Sequence, residues 1–289
     1  MGDFIFQNNH STQLNSIQGS LDYFLIEISG EIQLGKTQRT QAEGHYEAIT
    51  NVLRESPAKT IFNDIDIKIK PFGGMGSDIA VHPYKKDEYD LDLIVHFMKM
   101  TDAFKSPQQF LEEFYRIFKS HGNYKDRVEL KKRCIRLYYA KECCLDLMPA
   151  TLYYPFDTGS RMWVAEEQPD GSYRFVITDP LGLIDWFEER CKLETIPVID
   201  SLRNKVEATP VISENAKKPK LKQAAQLIKR ARDKYFYDDD DAKKILKSPA
   251  LLVVAGEYYK GETNLYGLID TIMSNLELIT RNPSAKIVN

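Results

Sequence analysis

Three aspartates stand where this chain otherwise places apolar residues. Asp90 and Asp92 fall inside "EYDLDLIVHFM", and Asp146 falls inside "CCLDLMPA". Strand alternation sends Asp90 and Asp92 to one face and Leu91, Leu93, Val95 and Phe97 to the other. Two like charges this close repel, and burying them unpaired is costly. A divalent cation removes both penalties at once. Carboxylate oxygens suit Mg²⁺, whose remaining positions are filled by water and by substrate phosphates. Three carboxylates on adjacent strands can hold two ions about 3.5–4 Å apart, the arrangement used for in-line phosphoryl displacement. In that scheme Asp90 and Asp92 bridge the ions. Asp146 holds the second one, which lowers the pKa of an attacking hydroxyl.

A D-x-D pair without more has plainer readings. Asp90 could start the strand in solvent with Asp92 paired to a lysine, and sugar-nucleotide transferases also carry the motif. Asp146 narrows the choice, because Leu145 and Leu147 flank it and Pro149 halts the run. Upstream lies "KPFGGMGSD", with Gly73, Gly74, Gly76 and Ser77. A turn with few side chains lets backbone N–H groups approach triphosphate oxygens, and a serine hydroxyl adds a donor.

The surrounding text supplies the elements that must position these groups. "TQRTQAEGHYEAITNVLR" places Ala42, Tyr46, Ile49, Val52 and Leu53 at helical spacing, and Pro57 follows. "DIDIKIKPF" alternates Ile65, Ile67 and Ile69 with polar residues, which predicts a strand. Ser106–Pro107 reads as a helix N-cap and first position, with Phe110, Leu111, Phe114, Ile117 and Phe118 on one face and Gly122 as the stop. "RVELKKRCIRLYYA" and "CCLDLMPATLYY" are two β-type segments of a meander, and a Pro-Asp-Gly turn divides "AEEQPDGSYRFVITDP". From "DPLGLIDWFEERCKL" onward the pattern is helical, interrupted by the polar linker "NKVEATPVISENAKKPK". In "LKQAAQLIKRARDKYFY" the residues Leu221, Ala224, Ala225, Ile228 and Tyr235 mark the buried stripe. The fold class is therefore α+β. Residues 1–185 form a mixed-sheet lobe with an N-terminal helix, and residues 186–289 form a helical lobe.

Composition excludes several function classes. The 289 residues are 43% hydrophobic and 28% charged, an ordinary globular balance. No apolar run approaches the roughly 18–20 residues of a membrane span, and no secretory signal is visible at the start. Cys134, Cys143, Cys144 and Cys191 form no C-x-x-C pair, and the five histidines are scattered, so a zinc site is not expected. The expected compartment is the cytoplasm. A net charge of −3 and a pI of about 6.0 argue against a nucleic-acid-holding surface. The basic cluster "KDRVELKKRCIR" reads as a solvated face.

Together, "GGMGSDIAVHPYKKDEYDLDLIVHF", "LDLMPA", "ITDPLGLIDWFEERC", "QAAQLIKRARDKYF" and "LKSPALLVVAGEYY" resemble the bacterial CD-NTases. These are cyclic-oligonucleotide synthases of the polymerase-β-type nucleotidyltransferase superfamily, related to cyclic GMP-AMP synthase. The resemblance implies a nucleotidyltransferase lobe and a helical lobe completing the nucleotide cleft. It implies two Mg²⁺ ions, or Mn²⁺ in their place, on Asp90, Asp92 and Asp146. It assigns triphosphate contacts to Lys229 and to Ser248. The family's Gly-Ser turn fits two registers. Gly76–Ser77 is the literal pair, whereas aligning Pro71 and Pro83 puts the motif on Gly73–Gly74 with the serine replaced and leaves Asp78 unexpectedly near phosphates. Tyr153, Tyr154, Tyr235 and Phe236 are candidates to stack on a base.

The implied reaction is attack of a ribose hydroxyl on an α-phosphate of ATP or another nucleoside triphosphate, repeated until a cyclic di- or trinucleotide closes. The implied setting is antiphage (CBASS) signalling to a separate effector, with an accessory protein as a further partner. No zinc insertion of the animal DNA sensor is present, so a DNA activator is not expected. The rival readings are a template-independent or small-molecule nucleotidylyltransferase and a catalytically inactive nucleotide-binding module.

Overall fold

A computed structural model describes residues 19–55, 61–62, 64–85, 88–139, 143–154, 159–194, 218–237 and 246–282. The polar lead-in up to residue 18, most of the linker and the end of the chain lie outside them. In chain order the elements are α1 (residues 19–32), α2 (Lys36–Glu55), β1 (Ile67–Phe72), the single turn α3 (Gly73–Gly76), β2 (Tyr89–Phe97), α4 (Pro107–Lys119), β3 (Val128–Leu130), β4 (Ile135–Tyr139) and β5 (Cys143–Leu152). They continue as β6 (Met162–Glu167), β7 (Tyr173–Thr178), α5 (Pro180–Cys191), α6 (Lys220–Tyr235), α7 (Ser248–Tyr258) and α8 (Leu265–Arg281). Two units divide these elements. One is Leu34–Asp185; the other combines the chain up to Gln33 with Trp186 onward.

The first unit is built on one mixed seven-stranded sheet, ordered β1-β2-β5-β4-β3, with β6 joining β5 and β7 joining β6. β2 and β5 run parallel in the middle, and their other neighbours are antiparallel. The two faces differ in kind. Leu91, Leu93, Val95 and Phe97 of β2 and Leu145 and Leu147 of β5 are wholly buried, packed with Phe110, Leu111, Phe114 and Phe118 of α4. α4 starts where the N-cap signal puts it, since the Ser106 hydroxyl accepts from the Gln109 amide at 3.1 Å and Pro107 opens the first turn. The opposite face carries Asp90, Asp92, Ile94 and His96, and has only a small apolar patch around Ile94, Met148, Ala150, Met162 and Val164.

Three sequence expectations need correcting. "RVELKKRCIRLYYA" is two strands, β3 and β4, folded into a hairpin through residues 131–134. A helix covers residues 19–32, ahead of the one expected from Thr37 onward. Tyr235 is 80% exposed, outside the buried stripe of α6, because the helix ends there.

In the second unit, polar groups cap the helix ends. Arg190 of α5 donates to the carbonyls of Gly256 and Tyr259 at 2.7 and 2.6 Å, satisfying the C-terminal end of α7. Asn264 caps α8 by accepting from Gly267 at 2.9 Å. The Lys222 side chain is only 9% exposed and pairs with Glu188 at 2.6 Å. Among the described residues, no helix is long and apolar enough to cross a membrane.

Candidate active site

Parallel pairing of β2 with β5 brings the three aspartates together. Asp92 and Asp146 are direct cross-strand partners, so their Cα atoms belong to strands about 4.8 Å apart. Asp90 lies two residues back on β2, on the same face. The strand faces explain the arrangement: each aspartate alternates with leucines that the core demands, so each must leave toward the open face. Side-chain exposure is 65% for Asp90 and 19% for Asp146.

The chain enters the site through α3. Phe72 pairs with Asp92, and the next residue, Gly73, turns the chain with φ +57°. A Cβ at Gly73 would overlap the Asp92 carboxylate. Gly76 also lacks room for a Cβ, which would lie 2.8 Å from the Pro71 carbonyl oxygen and 2.7 Å from the Ile184 side chain. Of the two turn registers, Gly73–Gly74 is therefore the pair beside the acids. Ser77 is wholly buried, and its hydroxyl donates to the Gly73 carbonyl at 2.6 Å, which holds the turn closed from within. Asp78 has its own explanation: Arg39 of α2 pairs with it at 2.9 Å.

One residue of this site escaped the sequence reading. Arg136 of β4 is the cross-strand partner of Asp146 and holds it with a two-pronged pair, Nε to Oδ1 at 2.7 Å and Nη2 to Oδ2 at 2.8 Å. The same Nη2 lies 3.6 Å from Asp90 Oδ1. Hydrogen bonding to Asp146 holds the guanidinium pKa above even its ordinary value. In the sequence, Arg136 hid inside a basic run that reads as a solvated face. Its signal is the alternation of Ile135, Arg136 and Leu137, which puts it on the acid face once β4 is known to adjoin β5.

The donor set fits a divalent cation. All three groups offer carboxylate oxygens on one face, and a cation, the Arg136 guanidinium, already bridges two of them. Among the described residues no three acidic, histidine or cysteine groups converge into a finished cage.

Further along the same face is a cavity of about 440 Å³, within the usual range for small-molecule sites. Lys68, Lys70, Ile94, His96, Tyr153 and Arg161 are among its lining residues. His96 stands about 13 Å beyond Asp92 at the rise of an extended strand. Burial and then the nearby Lys68 push its pKa down, and its Nε2 is buried without a hydrogen-bond partner. The Arg161 guanidinium stacks 4.5 Å from the Tyr153 ring centroid, and Trp163 donates to the Tyr153 carbonyl at 3.3 Å. Tyr153 and Tyr154 thus line this cavity, whereas Tyr235 and Phe236 pack on each other at the end of α6 in the other unit. Lys229 is half-buried on α6. Ser248 begins α7, where its hydroxyl oxygen accepts from Arg232 at 3.4 Å.

Residues 20–191 match the Second Messenger Oligonucleotide or Dinucleotide Synthetase domain. A c-di-GMP synthase of Roseivirga ehrenbergii is 27% identical over 284 residues, which cover 94% of this chain and 68% of that protein. The fold is similar to that of the CD-NTase CdnG of Bradyrhizobium diazoefficiens, solved in complex with GTP, with TM-score 0.70, 20% identity, and 90% of this chain matched to 76% of that one. It is also similar to the CdnE cyclic dinucleotide synthase of Elizabethkingia meningoseptica, solved with GTP and Apcpp, with TM-score 0.60, 14% identity, and 90% matched to 85%.

Proposed function

Because the chain belongs to the Second Messenger Oligonucleotide or Dinucleotide Synthetase family, we propose that Asp90, Asp92 and Asp146 are its catalytic carboxylates, making a cyclic dinucleotide from nucleoside triphosphates. The observation that carries this reading is the register of β2 on β5, which sets Asp92 against Asp146 with Asp90 on the same face and Gly73 beside them. The enzyme is a nucleotidyltransferase of polymerase-β type. The likeness to a c-di-GMP synthase favours GTP as at least one substrate.

Mg²⁺ ions held by the three carboxylates would neutralise the triphosphate and lower the pKa of the attacking ribose hydroxyl. The chain's own groups do the rest. Gly73 and Gly74 let the backbone come close to phosphate oxygens without a side chain in the way. Gly74 stands where the family pattern has serine, so backbone amides replace the missing hydroxyl. Lys229 contributes positive charge toward the phosphates as a mobile point charge, and Ser248 a hydroxyl. Tyr153 and Arg161, already stacked on one another, offer a flat and positively charged wall to a purine base. The product acts as a second messenger for a separate effector in antiphage defence.

The direct test is mass spectrometry of products formed from ATP, GTP, CTP and UTP with Mg²⁺. The expected product is small, cyclic and resistant to phosphatase. A ladder of linear oligonucleotides, or transfer of a nucleotide to another small molecule, would reject the cyclase reading. The turn register has its own test. Ser77→Ala is expected to cost about 1 kcal/mol of stability, the worth of one buried hydrogen bond, and to leave the nucleotide KM unchanged. A large rise in KM would instead place the Ser77 hydroxyl on phosphate.

A further inference from the structure

Arg136 occupies the position where the acidic site needs a cation. Its fork takes one lone pair from each oxygen of Asp146, and one prong of that fork, Nη2, also lies 3.6 Å from Asp90 on the far side of β5. Those oxygens are the ones the proposed metal ions require. A guanidinium stays charged at every working pH, so protonation changes cannot clear it from the site. It leaves only if another cation displaces it.

We propose that Arg136 is a built-in counter-ion that competes with the metal for Asp146 and Asp90, so that metal binds well only when a nucleoside triphosphate arrives with it. The inference rests on the metal-site reading above. Three carboxylates facing one another repel, and Arg136 offsets that repulsion so that the site keeps its shape. Metal ions arriving without nucleotide must break a charge-assisted, two-pronged pair and leave the guanidinium without an anion. Metal ions arriving with a triphosphate bring anionic oxygens that can accept the released guanidinium. Arg136 is thus a positioning residue. It holds Asp146 until substrate comes and couples metal binding to nucleotide binding.

Mn²⁺ titration of the full chain, followed by the loss of the free-ion EPR signal, tests this without any turnover. Without nucleotide, Arg136→Gln is expected to bind Mn²⁺ about ten-fold more tightly than the wild type or better, as expected for removing one charged competitor. Arg136→Lys, which keeps the charge but loses the fork, is expected to fall between them. With a non-hydrolysable triphosphate present, the gap between Arg136→Gln and wild type is expected to shrink. A purely structural arginine predicts the opposite, equal or weaker Mn²⁺ binding in a folded Arg136→Gln protein, and that result overturns the proposal. Asp146→Asn in the same titration separates the two levels of argument. If it weakens Mn²⁺ binding while Arg136→Gln does not strengthen it, only the competitor role is lost. If Asp146→Asn changes nothing, the metal-site reading fails and the proposal falls with it.

Discussion

Asp92→Asn is expected to lower the rate of product formation by about a thousand-fold or more, because a metal-held site supplies several kcal/mol of charge stabilisation and each decade of rate is worth about 1.4 kcal/mol. The thermal midpoint is expected to stay level or rise. Asparagine has the same shape, so no cavity opens among Gly73, Phe72 and Asp146. Its neutral amide removes one of two like charges that stand directly opposite each other on adjacent strands, an arrangement that destabilises a sheet. Arg136 already offsets the charge of Asp146, so the gain is small, and the core-directed neighbours Leu91 and Leu93 are completely buried and untouched by the change. Pyrophosphate release and thermal unfolding, measured on one preparation, check both halves. Retention of more than about a tenth of the activity would remove Asp92 from the proposed metal set. A fall in the midpoint would mean that Asp92 is chiefly a structural partner.

That the acids share a face was legible in the sequence; that they meet was only an expectation. The alternation of Leu91, Asp92, Leu93 and of Leu145, Asp146, Leu147 identifies which side chains leave the core. Only the pairing of β2 with β5 gives the register, and these strands are separated in the chain by α4 and the β3–β4 hairpin. The hairpin itself was hidden because its turn, "KKRC" between Leu130 and Ile135, holds no glycine or proline. Charged residues were read least well. Arg136 sits in a run that reads as a solvated face and Lys222 in a lysine- and arginine-rich helix, yet both are tied to a carboxylate on another element, and periodicity within one element cannot show this. Asp78 illustrates the converse. It seemed misplaced near phosphates until Arg39, remote in sequence, proved to neutralise it.

Gly73→Ala is expected to reduce activity by about a hundred-fold or more, the loss that a displacement of about 1 Å can cause at a reacting centre. Two effects combine at this position. The backbone is left-handed at φ +57°, which costs an alanine roughly 1 kcal/mol. In addition, the new methyl group would collide with the Asp92 carboxylate, so either the turn or the aspartate must move. Gly171, in the β6–β7 turn, separates the two effects. It has φ +81°, and nothing lies within 4 Å of an added Cβ. Gly171→Ala should therefore show the backbone cost, a few degrees in thermal midpoint, with wild-type turnover. Gly73→Ala should show a similar or somewhat larger loss of stability, together with the collapse in turnover and weaker Mn²⁺ binding. Equal activity in the two variants would mean that Gly73 is only a turn residue and that Asp92 tolerates displacement. A selective loss at Gly73 would instead tie the glycine turn directly to the geometry of the acid that it touches.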